Sequence, residues 1–224
     1  VQEVTLDTDQ LSTFSQEIAR KGTALECVQK KCEWGMAEKS AHLGLANEGS
    51  FGPHPYIPFI ASNQEIMYFI DKQRNIHLAV TEIASTTNYQ TMTIQTYEEL
   101  INFTKKALFP SHALIIKPYS ATDQSVIFKG INNFTMLEYA FYECKKLNQN
   151  ITIETDMRAH LNPTRMNVIQ NLATKMAKRL ASLCPSCSTP GWGIIDTNIG
   201  LPCDNCSSET DLIQSYIFGC LKCD

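Results

Sequence analysis

The sequence lacks a large net charge, a long apolar run and the glycine-rich fingerprints of nucleotide-binding folds. A formal charge of -4 over 224 residues disfavours a protein that is held to nucleic acid mainly by phosphate neutralisation. A local basic patch is compatible with that charge, so nucleic acid is not excluded. No apolar stretch approaches the roughly 18 to 20 residues that cross a bilayer, and the first residues show no basic, apolar leader. We therefore expect a cytoplasmic protein without a membrane partner.

The order of strand-like and helix-like patterns predicts the fold class. Short apolar strands alternate with segments of helical periodicity through residues 1–182, and this alternation is typical of an α/β domain with a mixed, mostly parallel sheet flanked by helices. One antiparallel hairpin is expected, with strands at residues 66–70 and 76–83. Capping residues predict where three helices begin: Thr23, Thr96 with Glu99, and Asn162 with Pro163.

Two carboxylates stand near the start of the chain. Asp7 and Asp9 follow a strand predicted over residues 1–6 and precede a helix predicted over residues 11–20. Two carboxylates one residue apart at a strand end commonly hold a divalent cation. The alternative is that Asp9 only caps the helix. The favoured interpretation makes Asp7 a metal ligand and Asp9 a catalytic residue.

A second polar segment runs over residues 47–55. Its glycines and prolines predict an irregular loop. Glycine permits close approach of a ligand to the backbone, while Glu48 and His54 supply acid–base or metal-binding groups. We expect both to be catalytic and Ser50 to contact substrate, with an ordinary surface turn as the alternative.

A third polar segment leads from a strand end into the helix that Asn162 opens. In open sheets this junction is where ligands bind, and the free amides of a helix N-terminus favour an anion. A capping loop with surface charges is the alternative. The predicted catalytic groups are Asp156 and His160, and the predicted anion-binding groups are Arg158, Asn162, Thr164 and Arg165.

Nine cysteines are present, and six form three Cys-x-x-Cys pairs near the end: Cys184/Cys187, Cys203/Cys206 and Cys220/Cys223. Two such pairs complete a tetrahedral thiolate site, so residues 183–224 are predicted to form a cysteine-rich module with structural zinc. The sequence leaves open which four cysteines bind one zinc, or whether six share two metals. The remaining three, Cys27, Cys32 and Cys144, lie in helical patterns and are expected in the core.

These segments together resemble a family of uncharacterised bacterial proteins, domain-of-unknown-function family 6671. The resemblance rests on motifs that include Glu48-Gly-Ser-Phe-Gly-Pro-His54-Pro55, Asp156-Met-Arg-Ala-His160, Cys184-Pro-x-Cys187 and Gly200-Leu-Pro-Cys203. It implies an α/β domain with a C-terminal cysteine zinc ribbon, and a further strand and turn ahead of Val1. It implies no activity.

The residues favour a metal-assisted hydrolase that acts on a small anionic, phosphate-bearing or nucleotide-like substrate. No nicotinamide fingerprint or phosphate loop is present, so hydrolysis is the default reaction. A second divalent metal is expected beside the structural zinc. The alternative is a non-catalytic module that binds a ligand, nucleic acid or protein. The oligomeric state is not indicated.

Overall fold

The computed structural model describes residues 3–4, 22–119 and 126–223. Within these ranges the chain forms four α-helices and nine strands. The helices are α1 (Ala24–Glu38), α2 (Tyr97–Lys106), α3 (Phe134–Leu147) and α4 (Pro163–Ala181). The strands are β1 (Leu43–Pro53), β2 (Ala61–Asp71), β3 (Ile76–Ala84), β4 (Thr91–Ile94), β5 (Leu114–Pro118), β6 (Phe128–Ile131), β7 (Ile151–Thr155), β8 (Gly193–Ile199) and β9 (Ile213–Gly219).

The first sheet is a three-stranded antiparallel meander in the order β1-β2-β3. One face packs on α1, through Val28, Cys32 and Met36. The other face packs on α4, through Leu172 and Met176. Strand β2 lies in the middle and is covered on both sides, which explains its nearly continuous burial.

The second sheet has the order β4-β7-β5-β6, and every neighbouring pair is antiparallel. Strands β4 and β5 both run antiparallel to β7 and are therefore parallel to each other, with α2 as their crossover. Strands β6 and β7 are related in the same way across β5, with α3 between them. Each unit is a βαβ crossover with one antiparallel strand inserted. The main hydrophobic core lies between this sheet and helices α2 and α3.

The prediction of a mostly parallel sheet is therefore wrong. Helices and strands do alternate, but every hydrogen-bonded strand pair in the described residues is antiparallel. One physical feature misled the sequence interpretation. An antiparallel strand is inserted between β4 and β5 and another between β6 and β7, so strands that follow one another across a helix are not hydrogen-bonded neighbours. The predicted hairpin of β2 and β3 is confirmed.

The predicted helix starts are confirmed. The side chains of Thr23 and Thr96 each form a capping box, with Glu26 and Glu99 respectively. Asn162 caps α4 by accepting the Arg165 N–H, and Pro163 is the first helical residue. The predicted loop at 47–55 is wrong for most of its length, because residues up to Pro53 continue β1. Cross-strand pairing with β2 overrides the local preference of its glycines for turns. Among the described residues, no helix is long and apolar enough to span a membrane.

Candidate functional site

Four cysteines meet at one end of the C-terminal hairpin. The pair Cys184/Cys187 precedes β8 and the pair Cys220/Cys223 follows β9, so antiparallel pairing of the two strands brings both pairs together. All four Sγ atoms lie within 4.8 Å of one another, and the closest separations are 3.4, 3.5 and 3.6 Å. Four thiolates at this spacing could hold a metal ion in tetrahedral geometry.

The electrostatics of this cluster favour a cation. Hydrogen bonds with Thr189 lower the pKa of Cys187 to about 6. The Cys223 thiol donates to Cys187 and Cys184, which raises the pKa of Cys223 to about 12. Crowded thiols do not all ionise together, because each thiolate disfavours the next. A bound cation would supply the missing counter-charge.

The third cysteine pair lies elsewhere. Cys203 and Cys206 occupy the turn between β8 and β9, at the opposite end of the hairpin from the four-cysteine cluster. Cys203 is half-buried and Cys206 is exposed. The structure thus selects the first and last pairs for one common site, a choice that the sequence left open.

A buried polar cluster lies where the first sheet meets the start of α4. Glu65 on β2 is fully buried, and its carboxylate accepts from Arg165 Nε at 2.7 Å and from Arg165 Nη2 at 3.3 Å. Arg165 also donates to the Met157 carbonyl at 2.6 Å. Asn47 Nδ2 approaches the same carboxylate at 3.3 Å. Charged side chains are seldom this deeply buried unless they are paired.

Asp156 extends the polar cluster towards the second sheet. Its side chain is completely buried and accepts from Arg158 Nη2 at 2.6 Å. The Gly130 N–H donates to the same carboxylate at 3.1 Å. Asn162 is also fully buried and donates to Asn88 Oδ1 at 2.8 Å. These bonds join the segment after β7 to β6 of the second sheet and to the loop between β3 and β4.

A cavity of about 740 Å³ opens beside this cluster, between α1, β1 and the start of α4. Glu48 on β1 is buried in its wall and accepts from Lys31 Nζ on α1 at 2.5 Å. Arg165 and Asn47 also line the cavity. The volume falls within the range of small-molecule sites, roughly 300 to 1,000 Å³. An acid–base pair therefore faces a space that would admit a small ligand.

The sequence profile of one protein family, described as "Domain of unknown function (DUF6671)", matches residues 31–224. The chain belongs to this family. The matched range contains the four-cysteine cluster, the Glu65–Arg165 pair and the wall of the cavity formed by Lys31 and Glu48. The chain matches no curated protein and no solved structure at a significant level. Membership in DUF6671 carries no activity with it.

The predicted site residues fall into three groups. Glu48, Asn162 and Arg165 lie in or beside the buried polar cluster, and Asp156 with Arg158 borders it. His54 lies past the end of β1, where its Nδ1 accepts the Tyr56 N–H at 3.2 Å, and His160 is exposed on a single 3-10 turn. Ser50 is a half-buried β1 residue. Asp7 and Asp9 lie outside the described residues, as do the strand predicted at 1–6, apart from residues 3–4, and the helix predicted at 11–20.

The structure pairs Thr164 with His112 rather than with an open anion site. The Thr164 N–H donates to His112 Nε2 at 3.2 Å, which requires that nitrogen to be unprotonated. His112 Nδ1 lies 2.9 Å from Ser111 Oγ. Burial lowers the pKa of His112, which favours the neutral ring that the hydrogen bond from Thr164 requires. Its contacts make it a cap for the first turn of α4.

Sequence reasoning missed two residues of the region, Lys31 and Glu65. Lys31 reads as an ordinary polar position of an amphipathic helix, and only the fold shows that it faces Glu48. The sequence did contain a sign that Glu65 is unusual, because its carboxylate lies next to the apolar run that begins at Ile66. A charged residue in a strand covered on both faces requires a buried partner. That partner, Arg165, is 100 residues away in the chain.

Proposed function

We propose that the chain binds a small anionic, phosphate-bearing ligand in the cavity between α1, β1 and α4, and that it hydrolyses this ligand with the help of a divalent metal. One observation carries the proposal: Lys31 and Glu48 form a 2.5 Å acid–base pair in the wall of a cavity of ligand size. A buried carboxylate beside a lysine and an arginine is a common arrangement for proton transfer next to a bound anion.

The charges of the lining support an anionic ligand. Lys31, Lys39 and Arg165 bring three cationic groups to the cavity, and Glu3 and Glu48 bring two carboxylates. Glu48 takes one of the three N–H donors of the Lys31 ammonium, and the others suit phosphate oxygens. Arg165 is held in place by Glu65 and the Met157 carbonyl, so its position at the cavity is fixed before a ligand arrives.

Hydrolysis in this site would use Glu48 as the general base. Glu48 accepts a proton from water while the water oxygen forms its bond to phosphorus. The bond from phosphorus to the leaving oxygen breaks with its electron pair, and the leaving group takes up a proton from solvent. Glu48 then returns its own proton to solvent, which restores the carboxylate. Lys31 offsets the negative charge on the phosphoryl oxygens. In this account Asp156 positions Arg158, because both of its oxygens already accept hydrogen bonds from that side chain and Gly130.

Two metals belong to the proposal. The four-cysteine cluster suits zinc in a structural role, because four thiolates in tetrahedral geometry are typical of closed zinc sites. The divalent metal of the reaction would use Asp7 and Asp9, whose carboxylates match the preference of hard cations for oxygen. His54 and His160 keep their proposed proton-transfer roles as secondary candidates, since neither lines the cavity.

A non-catalytic binding module is the second candidate function. One observation favours it: within the described part of the chain, the four cysteines are the only group of three or more His, Cys, Asp or Glu residues placed to hold a metal. Glu48, Asp156 and His160 do not form an oxygen- and nitrogen-rich metal site by themselves. If Asp7 and Asp9 do not complete one, the cavity would bind its ligand without turning it over.

The binding step is tested with inorganic phosphate as the probe, titrated calorimetrically into the full chain. Lys31→Met is expected to weaken phosphate binding by about tenfold or more, because it removes a cation from the cavity wall. Lys30→Met is the matched control, since Lys30 is an exposed neighbour on the same helix that does not line the cavity. Equal affinity in wild type and Lys31→Met would contradict the proposed site.

A further inference from the structure

The Cys203/Cys206 turn repeats the backbone of the Cys184/Cys187 turn bond for bond. The N–H of the residue after each second cysteine donates to the carbonyl of the first cysteine, at 2.9 Å for Ser188 and 2.8 Å for Ser207. The Cys184 N–H donates to the Thr189 carbonyl at 2.9 Å, and the Cys203 N–H donates to the Ser208 carbonyl at 2.8 Å. Ser188 and Ser207 share a left-handed φ of 57°. An isolated antiparallel bridge closes each turn, Leu183 with Pro190 and Pro202 with Glu209.

The resemblance extends to the sulfur environment. Thr189 hydrogen bonds to the Cys187 sulfur through its backbone and its hydroxyl, and Ser208 does the same for Cys206. The first turn delivers both of its sulfurs to the four-cysteine cluster. The second turn has the same backbone hydrogen bonds as the first and the same kind of hydrogen bonds to its second sulfur. Its two sulfurs are also hydrogen bonded to each other.

The second turn is nevertheless only half a site. A tetrahedral thiolate site needs four ligands, and the turn supplies two. Within residues 3–4, 22–119 and 126–223, no third His, Cys, Asp or Glu ligand joins Cys203 and Cys206 in a metal-capable group. A second copy of this chain presents two thiolates at the same Cys-x-x-Cys spacing, and these would complete a tetrahedral site.

We propose that Cys203 and Cys206 bind a thiophilic metal ion, zinc by the chemistry of the ligands, together with the same two cysteines of a second copy of the chain. The metal would lie on the two-fold axis of a symmetric dimer, in which each copy uses the same surface. Such a site differs from the four-cysteine cluster, which is complete within one chain.

The surface around the turn suits a second copy. Four exposed apolar side chains flank it, with exposed fractions of 61% for Ile199, 40% for Leu201, 60% for Leu212 and 44% for Ile213. Apolar groups gathered beside an incomplete metal site are covered when a symmetric partner docks, which adds hydrophobic burial to the metal bonds.

The test uses the full chain, loaded with zinc under reducing conditions and freed of excess metal. Zinc is counted by elemental analysis, and mass is measured by native mass spectrometry. Wild type is expected to be a dimer with about 1.5 zinc ions per chain, one in each four-cysteine cluster and one shared by two chains. The double variant Cys203→Ser/Cys206→Ser is expected to be a monomer with about one zinc per chain, which also shows that the four-cysteine cluster remains folded.

Asp204→Ala is the matched control, because it changes the same turn and leaves both thiols in place; it should behave as wild type. A wild-type monomer with about one or about two zinc ions per chain would overturn the proposal. So would a dimer that persists in the double variant. A second measurement needs no variant: stepwise chelation of wild type should dissociate the dimer as about 0.5 zinc per chain is lost, and dissociation unrelated to that loss would also overturn it.

Discussion

Glu65 and Arg165 form a buried ion pair between the middle strand of the first sheet and the first turn of α4, with Oε1 and Nε 2.7 Å apart. The pair fixes where α4 begins relative to the sheet. It also excludes a side chain from the facing β1 position, Gly49, which lies opposite Glu65 in the strand register. One wall of the proposed ligand cavity therefore depends on a salt bridge that spans 100 residues of sequence.

Removing one member of this pair should be more harmful than removing both. Arg165→Met leaves the Glu65 carboxylate buried without its cation, and we expect a loss of about 3 to 5 kcal/mol in the free energy of unfolding. Glu65→Met/Arg165→Met removes both charges, so it should cost no more than the single change. Urea unfolding of Glu65→Met, Arg165→Met and the double variant measures this. A double variant whose loss equals the sum of the two single losses would show that the residues are not coupled.

Gly49 should tolerate no side chain. A Cβ there would meet the Arg165 guanidinium and lie 2.6 Å from Glu65 Oε1, so Gly49→Ala must displace the buried pair. We expect a loss of about 1 to 3 kcal/mol, as for other overpacked interiors. Gly52→Ala is the matched control on the same strand, because a Cβ at Gly52 meets nothing within 4 Å. Thermal unfolding compares them, and equal stability of the two variants would argue against the clash.

Local signals in the sequence predicted much of the fold. Side chains such as Thr96, Glu99 and Asn162 satisfy the free amides of a helix start without help from distant residues, so the helices could be located. Strand partners could not be, because β7 inserts between β4 and β5 through pairings that depend on the whole chain. The glycines of β1 predicted a loop, because the strand they form depends in the same way on pairing with another strand, β2.

The candidate site was predictable only in part. Cysteine spacing identified six candidate metal ligands, because a Cys-x-x-Cys turn has a short-range geometry of its own, but it did not show which four lie together. The sequence did not predict which residues the charged side chains contact. Nothing in the sequence around Lys31 indicates contact with Glu48, and nothing around Arg165 indicates Glu65, since both contacts follow from the packing of α1 and α4 on opposite faces of one sheet.

His112 should make stability depend on pH. Burial lowers its pKa from the usual 6.5, so between the folded and unfolded values the unfolded chain binds more protons at this group. Stability from His112 is therefore present above about pH 6.5 and is lost as pH falls below it. Urea unfolding at about pH 7.5 and about pH 5.5 should show a larger loss for wild type than for His112→Gln. The same loss in both proteins would contradict this assignment.

The four-cysteine cluster should hold the tightly bound metal of a single chain. Cys223→Ser removes one of four ligands, and we expect zinc content to fall by about one ion per chain. The segment after α4 should then become sensitive to protease, because metal binding contributes to its folding. Cys144→Ala is the control, since Cys144 is buried in the main core away from the cluster. Elemental analysis that finds unchanged zinc in Cys223→Ser would exclude this cluster as the site.

The most direct test of the proposed function is turnover. A panel of phosphomonoesters, including p-nitrophenyl phosphate and nucleoside monophosphates, is incubated with the full chain and Mg²⁺ or Mn²⁺, and released phosphate is measured. The account predicts that wild type hydrolyses at least one member and that Glu48→Gln lowers its kcat by about 10² to 10⁴-fold while phosphate binding persists. No hydrolysis by wild type, or equal kcat in Glu48→Gln, would contradict it.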